Sequence, residues 1–239
     1  PPPHPSRHSF PPRRSSDLNR MAKKQRLDKA IAMQGSLSRS EVKTLIRKGA
    51  VTVNGQVVKN SDFGVDFDSD TVAVQGKELS LSMHIYLMLN KPKGVVSASE
   101  DKKLPTVVDL IPKELWRKGL FPAGRLDKDT TGFVLITDDG EFAHDILSPK
   151  KHISKTYHAL VNGTITDEMV EGFAKGVTIG EDFTLPASLK KISSEEQGDW
   201  GEVILKEGMY HQIKRMFGAY GLKVLELKRV QMGKLPLGS

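Results

Sequence analysis

Apolar residues along this chain recur with two different periods, and the switch between them divides it into segments. From Gln25 to Met33, the residues Leu27, Ala30 and Ile31 fall on one side of a short helical segment. A second helix is predicted after Ser38, with Val42, Leu45 and Ile46 on its apolar face. Ser38-Arg-Ser-Glu41 has the spacing of a capping box, in which serine and glutamate satisfy backbone donors at a helix start. Gly49 is placed to end that helix. Arg39, Lys43 and Arg47 recur every four residues as a separate basic stripe, extended by Lys48. Val51-Thr-Val-Asn-Gly-Gln-Val-Val58 then alternates around Asn54-Gly55, which predicts two strands and a tight hairpin turn. The segment that follows, up to Ser82, reads as strand, turn and linker. Its acids Asp62, Asp66, Asp68 and Asp70 lack the spacing and closing glutamate of a calcium loop, and read as solvated loop acids.

From His84 onward the pattern is richer in strands. His84–Asn90 is a buried-strand candidate closed by Lys91-Pro-Lys-Gly94, and further strands are expected at Phe133–Thr137, Thr156–Asn162, Glu202–Lys206 and Lys223–Lys228. Helices are expected at Glu141–Leu147, Asp167–Lys175 and His211–Tyr220. Strands with interspersed helices indicate an α+β fold with a mixed, mainly antiparallel sheet. The expected organisation is a small helix–helix–hairpin domain over 21–80 and a larger domain over 84–239.

Composition adds exclusions more than assignments. The chain has 239 residues, 38% hydrophobic and 27% charged, which describes a globular protein with real cores. No apolar run approaches the ~18–20 residues that span a bilayer, so no membrane partner is expected. Without cysteine there is no disulfide framework, thiolate metal site or cysteine nucleophile. That fits a cytoplasmic setting. The net charge of +7 favours a polyanionic partner. Residues 1–20 carry four arginines against Asp17, however, which leaves only +4 on the rest. This Pro-, Ser- and Arg-rich stretch has no apolar period. It is expected to be a disordered, non-native tail, with Met21 as the true start and a C-terminus cut short.

The chemistry concentrates in Pro122-Ala-Gly-Arg-Leu-Asp-Lys-Asp-Thr-Thr-Gly-Phe-Val-Leu-Ile-Thr137. Asp127 follows a glycine turn and precedes an apolar strand, where a carboxylate held by the basic neighbour Arg125 is a candidate nucleophile. Gly124 permits the turn, Thr130 can bond the loop backbone, and Gly132 allows close approach. The Gly-Arg-Leu-Asp-x-x-Thr-x-Gly pattern resembles the catalytic motif of the RsuA/RluA pseudouridine synthases, which isomerise uridine within RNA. The segment 25–80 resembles the S4 RNA-binding domain through Arg26-Leu-Asp-Lys29, Ser38-Arg-Ser-Glu41 and Ile46-Arg-Lys-Gly-Ala-Val-Thr-Val-Asn-Gly55.

These resemblances imply roles residue by residue. Asp127 would be the catalytic nucleophile or base. Arg125 would insert where the flipped base left, or contact the RNA backbone. Tyr157, in Lys155-Thr-Tyr157, would pack on the uracil ring. Lys214, in Tyr210-His-Gln-Ile-Lys-Arg-Met-Phe217, would pair with Asp127 and keep it ionised. Ile213 would wall the pocket, and Arg215 would be the alternative partner or a phosphate contact. His211 would be structural or touch RNA. Arg26, Arg39, Lys43, Arg47 and Lys48 would bind RNA. No metal and no cofactor is implied. Tyr210–Phe217 and Phe173-Ala-Lys-Gly-Val177 look closest to the small-subunit (16S) branch, whereas large-subunit relatives more often have Asn-Arg-Glu before the basic pair. The expected substrate is therefore 16S ribosomal RNA in an assembling small subunit, acted on by a monomer, with 23S ribosomal RNA as the alternative.

Two other classes compete. Asp127-Lys-Asp-Thr-Thr131 fits the Asp-x-Asp-x-Thr motif of haloacid-dehalogenase-like phosphotransferases, but that motif follows a buried strand and here the long apolar strand comes after it. A non-catalytic S4-type assembly factor would use the basic helix and leave Asp127, Tyr157 and Lys214 unexplained.

Overall fold

The computed structural model describes residues 24–35 and 37–238. The expectation of a disordered tail falls on residues 1–20, outside that range. The chain forms two compact units that divide between Met83 and His84.

The first unit runs β1 (Gln25–Arg26), α1 (Leu27–Ala32), α2 (Arg39–Arg47), β2 (Val51–Val53), β3 (Gln56–Val57), β4 (Gly64–Val65), β5 (Val72–Val74) and β6 (Lys77–Leu79). Its four-stranded antiparallel sheet has the order β3-β2-β5-β6, and β1 pairs with β4. The apolar stripes read from the sequence meet in one core: Leu27, Ile31, Val42, Ile46, Val51, Val65 and Val72 are all buried. The capping box is present, with Ser38 accepting from the Glu41 N–H and the Glu41 carboxylate accepting from the Ser38 N–H at 2.8 Å. Such a cap contributes about 1 kcal/mol to the helix. Asn54 and Gly55 both adopt positive φ, 51° and 78°, as a two-residue primed turn requires. The loop acids have a local role. Asp70 accepts from the Asp66 N–H at 2.8 Å and from the Asn54 amide at 2.9 Å, which folds the acidic segment onto the hairpin tip.

The second unit contains β7 (Tyr86–Lys91), β8 (Phe121–Ala123), β9 (Thr131–Thr137), α3 (Gly140–Leu147), β10 (Lys155–Val161) and α4 (Asp167–Lys175). It continues with β11 (Thr178–Ile179), β12 (Asp182–Phe183), β13 (Ser188–Glu195), β14 (Gly198–Leu205), α5 (Gln212–Gly218), β15 (Val224–Met232) and β16 (Leu235–Pro236). Eight strands form one sheet, ordered β13-β14-β10-β15-β9-β7, with β8 on β9 and β16 on β15. All pairings in it are antiparallel except β9 with β15, so the sheet is mixed and mainly antiparallel, as the strand pattern predicts. One core packs α4 and α5 onto the sheet through Met169, Phe173, Ile213, Met216 and Phe217. A second, around Val95, Val107, Leu126, Val134 and Ile136, lies under the loop that leads to Asp127.

The predicted elements mostly run longer than their apolar runs. β14 begins at Gly198 and β15 continues to Met232, because ladder hydrogen bonds carry strands through polar residues. β13 has no counterpart among the expected strands. It is an edge strand, Ser-Leu-Lys-Lys-Ile-Ser-Ser-Glu, in which only Leu189 is buried, so its sequence carries no apolar alternation. The predicted helix at His211 begins one residue later, because His211 itself is left-handed (φ 47°, ψ 36°).

The parallel β9–β15 junction depends on a close approach. Gly132 has φ +99°, and a Cβ there would lie 2.1 Å from the Arg229 carbonyl oxygen. The buried Arg229 donates from Nε to the Phe133 carbonyl at 2.8 Å and locks the same junction. Replacing Gly132 by alanine therefore meets both a backbone clash and an unfavourable φ, and should cost roughly 2–4 kcal/mol. A denaturant titration checks this, and an unchanged midpoint for Gly132→Ala would contradict the packing described.

Candidate active site

Asp127 stands on a turn held from several sides. After β8 the chain bends at Gly124 (φ +98°), runs on to Asp127, and turns back so that the Thr130 N–H donates to the Asp127 carbonyl at 3.1 Å. The Thr130 backbone closes this loop; its hydroxyl, expected to do so, is buried without a hydrogen-bond partner among the described residues. Lys91 is wholly buried beneath the turn, and its ammonium group donates to the carbonyls of Thr130 (2.7 Å), Pro92 (3.1 Å) and Lys128 (3.2 Å). Burial pushes the Lys91 ammonium below the usual lysine range, against the opposing charges of Asp129 and Asp127. The Ser97 hydroxyl donates to the Leu126 carbonyl and accepts from the Leu126 N–H, both at 3.0 Å.

The opposing wall comes from β10, β15 and the start of α5. Gln212 is buried, accepting from the Met209 N–H at 3.0 Å and donating to Glu207 at 2.6 Å, which fixes the loop before the helix. The left-handed turn at His211 then directs the ring of His211 and, three residues on, the amine of Lys214 at the aspartates. His211 Nε2 is 3.3 Å and Lys214 Nζ 3.5 Å from Asp127 Oδ2. The nearer partner of Lys214 is Asp129, at 2.8 and 2.9 Å. That hydrogen bond holds the Asp129 carboxyl below the usual carboxylate range.

A cavity of about 110 Å³ opens between these walls. Tyr157, Leu205, Ile213 and Leu227 supply apolar lining, while Arg125, Asp127, His211 and Lys214 supply polar lining. The guanidinium of Arg229 lies 6.0 Å from the centroid of the Tyr157 ring. The site thus offers a slot for a flat ring, with one carboxylate at its side and two basic groups behind that carboxylate.

The structure brings Asp127, Tyr157, Ile213 and Lys214 together at this cavity. Arg125 is an exposed residue at its rim, with no ion pair to Asp127, so the basic groups that hold the aspartate are Lys214 and His211. Arg215 is directed away from the cavity. It donates to the carbonyls of Ile179 and Tyr210 and lies 3.5 Å from Asp182, bracing the β11–β12 hairpin. The sequence reading missed Asp129 as a partner of Lys214 and set His211 aside. The signal for His211 was its i, i+3 spacing from Lys214 across a helix start.

In the first unit the basic stripe has an anchor that was not foreseen. Asp28 is buried, and it gathers Arg26 (3.1 Å), Arg39 (3.5 Å) and Lys43 (3.7 Å). Arg26 also pairs with Asp62. Arg47 and Lys48 extend the face as exposed residues. Burial alone would raise the Asp28 carboxyl, but the Arg26 hydrogen bond and the charges of Arg39 and Arg26 outweigh it and hold the group below its ordinary value.

Comparison with known proteins agrees with both halves. Residues 85–219 match the RNA pseudouridylate synthase family and residues 25–72 the S4 domain. The chain is 43% identical over 213 residues to the uncharacterized RNA pseudouridine synthase YtzG of Bacillus subtilis, covering 89% of each. It is 42% identical over 217 residues to ribosomal small subunit pseudouridine synthase A of Escherichia coli K12, covering 89% of this chain and 90% of the relative. A crystal structure of a pseudouridylate synthase superposes with a TM-score of 0.57 at 36% identity, over 89% of this chain and 90% of that one. The chain belongs to the RNA pseudouridylate synthase family, as an RsuA-type member with an S4 domain before its catalytic domain.

Two outcomes follow from these geometries. Lys214→Met removes the charge shared by Asp127 and Asp129 and should lower turnover about 100- to 1,000-fold. Steady-state kinetics checks it, and a wild-type rate would dissociate Lys214 from the reaction. For Asp28, a depressed folded pKa means stability that is present above the unfolded carboxylate value near 4 and lost as pH falls through the folded value. Asp28→Asn should therefore be less stable than wild type at pH 7, with the gap narrowing toward pH 3. Thermal unfolding at the two pH values measures it, and a constant gap would contradict the assignment.

Proposed function

We propose that this protein converts a specific uridine of 16S ribosomal RNA to pseudouridine, with Asp127 as nucleophile or base. The observation that carries the reading is the Asp127 carboxylate lining the same cavity as Tyr157, with Lys214 3.5 Å away. The glycosidic bond between the sugar C1′ and uracil N1 breaks, the uracil turns, and C1′ joins C5. The hydrogen on C5 leaves as a proton while N1 gains one, so atoms and charge balance. The departing uracil anion is a tolerable leaving group, so one positioned carboxylate is a sufficient catalyst.

Each neighbour has a part. Lys214 and His211 hold the Asp127 carboxylate in place from the α5 side, at 3.5 and 3.3 Å from its Oδ2. Tyr157 and Ile213 hold the ring between apolar surfaces while it turns. Entry requires the uridine to leave its stack, and Arg125 at the rim meets the RNA where the base departed. The S4 unit supplies affinity through Arg26, Arg39, Lys43, Arg47 and Lys48, largely by phosphate neutralisation. The small-subunit assignment is supported by the Escherichia coli relative and by the Tyr-His-Gln-Ile-Lys-Arg-Met-Phe stretch at 210–217. An assembling subunit in the cytoplasm is the setting in which a buried target uridine is still accessible.

Asp127→Asn should reduce turnover at least about 1,000-fold while leaving RNA affinity within a few-fold. Pseudouridine mapping on ribosomal RNA, naked and in assembly intermediates, with wild type and variant, measures it. One new site in small-subunit RNA, absent with the variant, is the expected result. A site in 23S RNA would correct the substrate, and turnover by the variant would remove Asp127 from the mechanism.

A further inference from the structure

We propose that Tyr210 is a stacking platform for the nucleotide adjacent to the target uridine, forming with His211 a binding subsite beside the catalytic cavity. The proposal rests on the RNA reading above.

Tyr210 is 75% exposed, the most open of the large hydrophobic side chains among the described residues. It is nevertheless ordered on one side, because its ring lies over the His211 imidazole with centroids 3.8 Å apart and planes inclined by only 20°. His211 in turn reaches Asp127 at 3.3 Å. From the reacting carboxylate outward the order is therefore Asp127, imidazole, phenol ring, solvent. The outer face of Tyr210 is an open aromatic surface stacked on a residue that lines the cavity.

That position is held by the structure around it. His211 keeps a left-handed backbone (φ 47°) without being glycine, a conformation that persists where neighbours enforce it. The neighbours are Gln212, which ties down Met209 and Glu207, and Arg215, which donates to the Tyr210 carbonyl at 3.4 Å. The loop thus presents an aromatic face of fixed orientation.

The chemistry of the ligand follows from the event at the neighbouring cavity. When a uridine is extruded into it, the adjacent base loses a stacking partner at the mouth. Unstacked RNA bases are taken up on tyrosine and histidine faces, in a manner that tolerates different bases. The exposed Arg125 at the same rim provides charge for the intervening phosphate. A base on Tyr210 would make a three-layer stack with His211 and would hold the flipped nucleotide's neighbour in register with Asp127.

The test uses the full chain and a small-subunit RNA hairpin carrying the mapped uridine, with 2-aminopurine or an abasic residue at each neighbouring position in turn. Tyr210→Leu should raise KM roughly 5- to 100-fold, the range expected for loss of one base–aromatic stack, with kcat changed far less. Tyr210→Phe should recover most of that loss, because the ring and not the hydroxyl does the stacking. On the hairpin with the relevant neighbour abasic, wild type and Tyr210→Leu should have equal KM. Binding by wild type should quench the 2-aminopurine at that neighbour, and Tyr210→Leu should not. An unchanged KM in Tyr210→Leu, or the same penalty on every abasic hairpin, would overturn the proposal. If wild type modifies the hairpin, Asp127→Asn does not, and Tyr210→Leu behaves as wild type, this inference alone fails. If wild type forms no pseudouridine in any ribosomal RNA, the functional reading fails and this subsite with it.

Discussion

A single buried ammonium group sets the geometry on which the site depends. Lys91 ends β7 with its side chain wholly enclosed, where an unpaired charge would cost several kcal/mol. Its three protons are matched by three carbonyls, two of them from the turn that carries Asp127. The requirement runs in both directions. The Thr130 carbonyl takes the shortest of these bonds, the Lys128 carbonyl is shared with the Gly94 N–H at 2.9 Å, and the donor is tolerable only because these carbonyls are there. The turn is consequently fixed to the end of a sheet strand, and Asp127 is positioned by the central scaffold of the fold.

The charges around Asp127 follow a similar logic. Two carboxylates, Asp127 and Asp129, stand two residues apart on the turn, and Lys91 lies below them. Lys214 and His211 face them from α5 and the residue before it. Lys214 makes its shorter contacts with Asp129, which leaves its contact with Asp127 long, at 3.5 Å. A nucleophile or base has to be charged yet not tightly bonded. A lysine anchored on a neighbouring acid meets both needs, because it provides field without occupying the reactive oxygen. Arg125, two residues before Asp127 in the chain, is left free at the rim and so remains available to RNA.

Much of this was legible in the sequence, and the reasons for the failures are specific. The helices and the hairpin of the first unit were readable because local signals agree there. Helical period, a capping box and an Asn-Gly turn all specify the same structure between Leu27 and Gly55. The turn at Asp127 was readable because glycines, an acid and an apolar strand follow in close order. β13 was not, since an edge strand with one buried side chain has no alternation to detect. The partners of Asp28 and of Lys214 were also hidden. Which acid a base meets depends on tertiary distance: Lys214 and Asp129 are 85 residues apart in the chain, and the choice between Asp127 and Asp129 turns on less than 1 Å. Arg215 shows the same limit. It follows Lys214 directly, and in a helix that one-residue step swings a side chain by about 100°, enough to send it to the β11–β12 hairpin instead of the cavity.

The two units treat charge differently, and the difference matches two tasks. In the S4 unit, Asp28 is buried beneath Arg26, Arg39 and Lys43, so the cations converge on one internal anion and their outer donors face solvent together. That arrangement orders a basic surface that an exposed acid meets only at Arg26, through Asp62, which suits the diffuse attraction of a phosphate backbone. In the catalytic unit Asp127, His211 and Lys214 line one cavity, and Lys214 is shared between Asp127 and Asp129. The first arrangement can hold RNA of many sequences but has no group placed to react. The second gathers its charges at a cavity, with exposed lysines spread over the rest of that unit. On the proposed reading, affinity and chemistry rest on these two different charge arrangements, and selection of one uridine arises where an extruded base and its neighbours meet the rim of the cavity.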